Sequence, residues 1–326
     1  MPTCLLAIDV GGTDVKAEVL DPSGRVLVSG RRAITAAGGA TAAVAGLGRE
    51  LVARARDDGA DVRRAGVVVP GLVDPAAGVV RLTANVSWPS PHVGPDLARA
   101  LGLPVVLGHD VTAAGLAEHR LGAGRGVDDL VVVAVGTGIA ATLVTGGRLV
   151  TAGRTSQGRI GQAGELGHLR VEAGGGRRCG CGQLGCLETV ASARAIARDY
   201  ATLSGRAVEG AHEVVARLCT DPLARRVWNV AVRALAEGLL ATTMLLSPSR
   251  IVLAGGLCAA GDDLLLPLRS ALNRRAHVAV VPDLVAAVLG TRAGVIGASL
   301  LAVEPGATVF GPRGERSVPT APAVPA

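Results

Sequence analysis

The chain has 326 residues, 49% hydrophobic and 18% charged, with 46 Gly, 17 Pro and four aromatic side chains. That apolar fraction excludes disorder as the main state, and glycines without a three-residue period exclude a collagen-like chain. The net charge of +6 sits on separated arginine pairs (Arg31-Arg32, Arg63-Arg64, Arg177-Arg178, Arg225-Arg226, Arg274-Arg275), not in the run or face that nucleic acid requires, and four aromatics leave little for base stacking. The length suits two domains. A short apolar run precedes Asp9 with no basic leader, and no uninterrupted apolar stretch approaches the roughly 20 residues of a membrane span. A cytoplasmic protein with no membrane or nucleic-acid partner is expected.

In chain order, residues 5–24 (LLAIDVGGTDVKAEVLDPSG) read as an apolar strand, a Gly-Gly-Thr turn, an alternating second strand and a closing turn. The spacing is not that of a Walker loop, which needs four residues between two glycines and a Lys-Ser/Thr pair. Backbone donors at Gly11 and Gly12, the Thr13 hydroxyl and the cation of Lys16, the only lysine, suit phosphate oxygens; the carboxylate of Asp9 suits a Mg²⁺ held partly through water. An ordinary hairpin would account for the glycines alone. A helix pattern over 40–57 precedes a strand at 65–69 and the turn PGLVD, where Gly71 can bring the backbone to a substrate. Asn85 and Trp88 fall in a loop, a helix runs over 95–102 and a strand over 104–107. Asp110 then stands at the start of a helix over 111–121. It is either a cap or the acceptor of a substrate hydroxyl proton in phosphoryl transfer.

Residues 130–147 (LVVVAVGTGIAATLVTGG) repeat the order of the first hairpin, with Gly136 standing where Gly11 stood and Gly136-Thr137-Gly138 forming a second turn. The repeat implies two related lobes with a cleft between them. Next comes GQAGELGHLRVEAGGGRRCGCGQLGCLE, residues 161–188. One imidazole (His168) and three thiolates (Cys179, Cys181, Cys186) match a closed tetrahedral Zn²⁺ site, structural and not catalytic. Glu165 and Glu188 flank it, and several hydroxyl acceptors held in one place suit a sugar. Cys4, Cys219 and Cys258 are dispersed, so no disulfide framework is expected. Helices over 190–203 and 222–246, a strand at 250–254, the pair Gly255-Gly256 and helices over 262–275 and 293–303 complete an α/β pattern. Residues 304–326 lack periodicity and read as a disordered tail.

DVGGTDVK, AGELGH and CGCGQLGCLE, in that order, resemble the ROK family (repressor, open reading frame, kinase) of bacterial sugar kinases, and within it the zinc-containing glucokinases. The likeness runs from about residue 4 to 303. It implies the actin-like ATPase fold, a ribonuclease H-like duplicated α/β architecture of two lobes with an interlobe cleft. The expected lobes are a smaller one over 1–121, completed by the helix at 291–303, and a larger one over 122–290 with the zinc knuckle at 168–186. The resemblance further implies an ATP-dependent hexose kinase, glucokinase-like, using ATP, Mg²⁺ and structural Zn²⁺ and working as a homodimer or higher homo-oligomer. Carried over by position, the resemblance implies Asp110 as the general base and Glu165, His168 and Glu188 as sugar ligands; Gly71, Asn85 and His109, together with Asp110, are further expected to line the sugar. Gly12, Thr13, Thr137 and Gly138 fall in the phosphate turns, and Gly255-Gly256 lies on the adenosine side.

Three departures stand out. His109 replaces the Asn that normally precedes the base and bonds sugar, Thr112 replaces a second Asn, and Ile139-Ala140-Ala141 replaces a glycine-rich run. These leave open another hexose or an N-acylhexosamine as substrate, or a sugar sensor without catalysis that acts through a protein partner. Repressors of the family carry an N-terminal helix-turn-helix, for which the short stretch before the first strand offers no expected room.

Overall fold

The computed structural model describes residues 3–35, 39–83, 86–151, 163–304 and 306–318. The chain divides into two units, Met1–Ala117 with Thr291–Ala326, and Glu118–Gly290.

In the first unit, β1 (Thr3–Val10) and β2 (Asp14–Leu20) form an antiparallel hairpin in which Asp9 lies opposite Lys16. β3 (Val26–Ala33) extends it, α1 (Gly39–Asp57) follows, and β4 (Asp61–Val69) runs parallel to β1. A small hairpin, β5 (Leu72–Asp74) with β6 (Val79–Leu82), and α2 (Val93–Leu101) lead to β7 (Val105–His109), parallel to β4. α3 (Asp110–Leu121) follows directly and carries the chain into the second unit.

There β8 (Leu130–Val135), β9 (Ile139–Thr145) and β10 (Arg148–Leu149) form an antiparallel meander. Then come α4 (Glu188–Ala191), α5 (Ala193–Ser204), α6 (Ala211–Val215) and α7 (Pro222–Leu246). β11 (Arg250–Ala254) pairs parallel to β8, and after α8 (Asp262–Arg275), β12 (Asp283–Ala286) pairs parallel to β11. α9 (Ala293–Val303) returns to the first unit, where β13 (Val309–Phe310) pairs with β7 and β14 (Arg316–Ser317) with β13.

The order β3-β2-β1-β4-β7 in one sheet and β10-β9-β8-β11-β12 in the other is one design used twice. The strands next to the repeated hairpins are parallel and covered on both faces, which is why they read as unbroken apolar runs. In β1, Leu6 and Ile8 pack with Leu47 and Leu51 of α1 and Leu97 of α2. Ala7 looks the other way, into a cluster with Ala113 of α3 and Val295 and Ala298 of α9. Glycine makes that second face thin: a Cβ on Gly66 of β4 would lie 2.0 Å from the Ala298 carbonyl oxygen.

Two expectations are corrected. The tail is not disordered throughout, because Phe310 is 3% exposed and joins the first unit's core, so β13 has a hydrophobic reason to pair with β7. The single helix over 190–203 is two, broken at Ser192, whose extended backbone lets its hydroxyl cap the Ala195 N–H. α7, at 25 residues, is the one helix among the described residues long and apolar enough to cross a membrane by length and composition. Arg225, Arg226, Arg233 and Glu237 interrupt it, and Trp228, Leu235 and Leu239 bury its inner face in the second unit's core.

Candidate functional site

Each unit gathers its own set of chemical groups. In the first, the tight turn after β1 is closed by the Gly11 N–H donating to the Asp14 carbonyl at 2.8 Å, with Gly12 and Thr13 exposed at its tip. Asp14 is held by Arg31 Nε at 2.6 Å. Asp9, on the face of β1 that α9 covers, has room only because residue 294 is glycine: a Cβ there would fall 2.4 Å from Asp9 Oδ2. Burial, then the charge of Asp110, raise the Asp9 carboxyl to about 6, with Lys16 opposing the shift. A carboxylate held above its usual range beside a second carboxylate is a place where a cation is welcome.

Asp110 opens α3, and its Oδ1 accepts the Val111 N–H at 2.7 Å. His109 is turned toward the same carboxylate, Nε2 3.2 Å from Asp110 Oδ1, while its Nδ1 lies 3.1 Å from Thr112 Oγ1. Two of the three departures from the family pattern are therefore bonded to each other.

In the second unit, the turn between β8 and β9 is closed by the Gly136 N–H to the Gly138 carbonyl at 2.9 Å, and α5 is tied to it by Ala193 N–H to Gly136 O at 2.8 Å. A Cβ on Gly138 would meet Glu188 Oε2 at 3.0 Å, so the turn and the carboxylate adjoin. Glu188 also reaches the cysteine cluster, taking the Cys179 thiol at 3.1 Å. Glu165 and His168 are joined by a short 3₁₀ turn, with Nε2 of the imidazole 3.6 Å from Glu165 Oε2 and its Nδ1 3.6 Å from Cys179 Sγ.

The ligand atoms of His168, Cys179, Cys181 and Cys186 all lie within 4.8 Å of one another, and Cys181 and Cys186 are 3.7 Å apart. Tetrahedral zinc with bonds of about 2.0–2.3 Å needs neighbouring ligands roughly 3.5–3.8 Å apart, so the four residues fit the ion. Burial pushes the Cys179 and Cys186 thiols up, a cost to the thiolate form that a cation bound among them would offset.

Residues 5–304 match the ROK family. The chain belongs to the ROK family. A glucokinase of Streptomyces coelicolor is 30% identical over 328 residues, 92% of this chain and 98% of that one. The crystal structure of a ROK hexokinase from Thermus thermophilus superposes with a TM-score of 0.78 at 34% identity, covering 91% of this chain and 97% of that chain. That of a ROK family glucokinase from Streptomyces griseus, in complex with glucose and AMPPNP, gives 0.74 at 31%, covering 92% and 99%. The two like-ordered sheets are those of the actin-like ATPase fold that the resemblance implied.

Within this ROK chain the remaining expected residues are placed as follows. Gly71 has φ 105°, and a Cβ there would lie 2.1 Å from the Leu82 carbonyl oxygen, so its close approach is to the β5–β6 hairpin. Asn85 lies outside the described residues. Gly255 has φ 87° and backs onto the end of β8, where a Cβ would meet Val135 O at 2.5 Å; Gly256 begins a 3₁₀ turn and has open space. Of the two alanines that replace glycine, Ala141 points into the core at 4% exposure, and Ala140 is half-buried. Sequence reasoning missed Gly294, whose only signal was a glycine inside an apolar helix pattern, and Asp14, which resembled any turn acid.

Proposed function

We propose that this protein is an ATP-dependent sugar kinase, glucokinase-like, that transfers the γ-phosphoryl group to the primary hydroxyl of a hexose. The observation that carries the reading is Asp110: a carboxylate oriented by the first N–H of α3, its charge felt by Asp9 beside the phosphate-type turn. In this reading Asp110 takes the hydroxyl proton as the sugar oxygen attacks the γ-phosphorus. The bond from that phosphorus to the β,γ-bridging oxygen breaks, and ADP leaves.

Gly11, Gly12, Thr13 and Lys16 of the first unit and Gly136, Thr137 and Gly138 of the second are assigned to phosphate, and Gly255-Gly256 to the adenosine side. Asp9 would hold Mg²⁺, which supplies charge neutralisation on the phosphates when bound. Glu165, His168 and Glu188 would take sugar hydroxyls. The ordering of His168 Nδ1 toward Cys179 and Nε2 toward Glu165 supports this, since a zinc-bound Nδ1 leaves Nε2 for a ligand. The cytoplasm, where ATP is made available to such an enzyme, is the matching compartment, and a homodimer is the matching assembly.

Purified, zinc-loaded protein incubated with ATP, Mg²⁺ and glucose, mannose, fructose, allose, N-acetylglucosamine or N-acetylmannosamine should release ADP with at least one of them. Folded protein that turns over none would overturn the reading. The second reading, a sugar sensor without turnover, is favoured by His109, whose ring is committed to Asp110 and Thr112 where an Asn would serve the sugar. Asp110→Asn separates the two. A kinase loses about 10²–10⁴ in kcat while sugar binding by calorimetry persists; a sensor has no turnover to lose.

A further inference from the structure

The arginine pairs that look scattered in the sequence are brought together on the second unit. Arg177 and Arg178, in the loop before Cys179, join Arg198 of α5 and Arg226 of α7 around one groove of about 570 Å³. Asp199, the one carboxylate among the described lining residues, is 15% exposed and already engaged: Arg177 Nη1 and Arg198 Nη2 both donate to it. The same two guanidinium groups are fixed a second time, on the Thr189 carbonyl, at 3.0 and 2.7 Å. Arg178 and Arg226 make no side-chain ion pair or hydrogen bond among the described residues. Leu203 and Val230 give the groove an apolar wall.

Like charges gathered in a concave site raise the local potential, and guanidinium groups bond phosphate oxygens in forked pairs. The volume falls in the range of small-ligand sites. We propose that this groove binds a small phosphate-bearing molecule. Arg178 and Arg226 take the phosphate oxygens, the pinned Arg177 and Arg198 supply a fixed positive field, and Leu203 and Val230 meet a carbon skeleton. The site lies within one unit and uses none of the groups assigned to catalysis, so it stands whether or not the kinase reading does.

The test is calorimetric titration of the full, zinc-loaded chain at low salt with inorganic phosphate and with glucose 6-phosphate, repeated on Arg178→Ala/Arg226→Ala. Saturable binding that weakens by about tenfold or more in the double variant, with zinc content and Tm unchanged, is the expected result. Tighter binding of glucose 6-phosphate than of inorganic phosphate identifies an organic phosphate as the ligand class, and equal binding identifies the free anion. Arg226→Lys, distant from the cysteine cluster in sequence, keeps the charge without the fork and should lose part of the affinity should the double variant fold poorly. Absence of binding by either probe, or binding unchanged in both variants, overturns the proposal.

Discussion

Asp9 carries a cost that the cation-holding role proposed for it would explain. Its carboxyl is raised from 3.8 to about 6 by burial first and the neighbouring Asp110 second, on the order of 3 kcal/mol against the ionised form. Below the unfolded value, both folded and unfolded chains hold the proton. Between 3.8 and about 6 only the folded chain does, and the stability so gained is lost as pH rises through about 6. Metal- and nucleotide-free protein should therefore lose Tm between about pH 5 and about pH 7.5 relative to Asp9→Asn, which lacks the titration and should be the more stable of the two at the higher pH. An equal response of both proteins would show that the carboxyl ionises normally. The same variant should bind Mg²⁺-nucleotide more weakly, since the lost charge is the one the cation would meet. At this scale the sequence was partly legible. The hairpin with its Gly-Gly-Thr turn and Asp9 opposite Lys16 was readable from residue types, but the orientation of His109 toward Asp110 rests on a contact with Thr112 that spacing cannot reveal.

The elements position these residues through close approaches that glycine permits. A Cβ on Gly297 of α9 would lie 2.0 Å from the Ala113 carbonyl oxygen of α3, a backbone atom that cannot step aside. Gly297→Ala should cost about 1–3 kcal/mol, read as a lower urea midpoint with unchanged slope; a neutral result would mean that α9 shifts freely. The cysteine loop is the other element, and the proposed zinc would be the interaction that sets its geometry. Metal analysis should find about one zinc per chain. Chelation, or Cys186→Ser, should lower Tm and abolish sugar binding together, because a zinc ion at the proposed site would fix His168 and draw in the loop that leads to Glu188. Zinc-free protein of full stability would refute the assignment. The gathering of His168, Cys179, Cys181 and Cys186 was legible because soft donors at short spacing have few other uses. The split between α4 and α5 was not, since the break at Ser192 depends on a cap that an apolar periodicity count passes over.

At the scale of the whole molecule, the duplication was visible in the sequence only as two hairpins, yet it extends to five strands in each sheet. The short, polar-flanked β12 and the alternating β3 hid the remainder, and β13 was invisible because two residues have no period. Phe310 nevertheless fills a space that Gly78 and Gly94 leave open, where a Cβ would come within 2.6 and 2.9 Å of its ring. Phe310→Ala should destabilise the first unit by about 3–5 kcal/mol, measured by denaturant unfolding; a loss within error would show that β13 is ornamental to the sheet. This late strand also imposes an order on synthesis. The second unit is one continuous stretch, Glu118–Gly290, and has all its parts once that stretch has left the ribosome. The first unit, although begun earlier, waits for α9 to cover one face and for β13 to extend β7 beyond its β4 edge. The half of the protein made first is thus the half finished last, and until then the Ala7–Val68 face has Ala113 of α3 but not α9 to cover it, a state open to aggregation or chaperone capture.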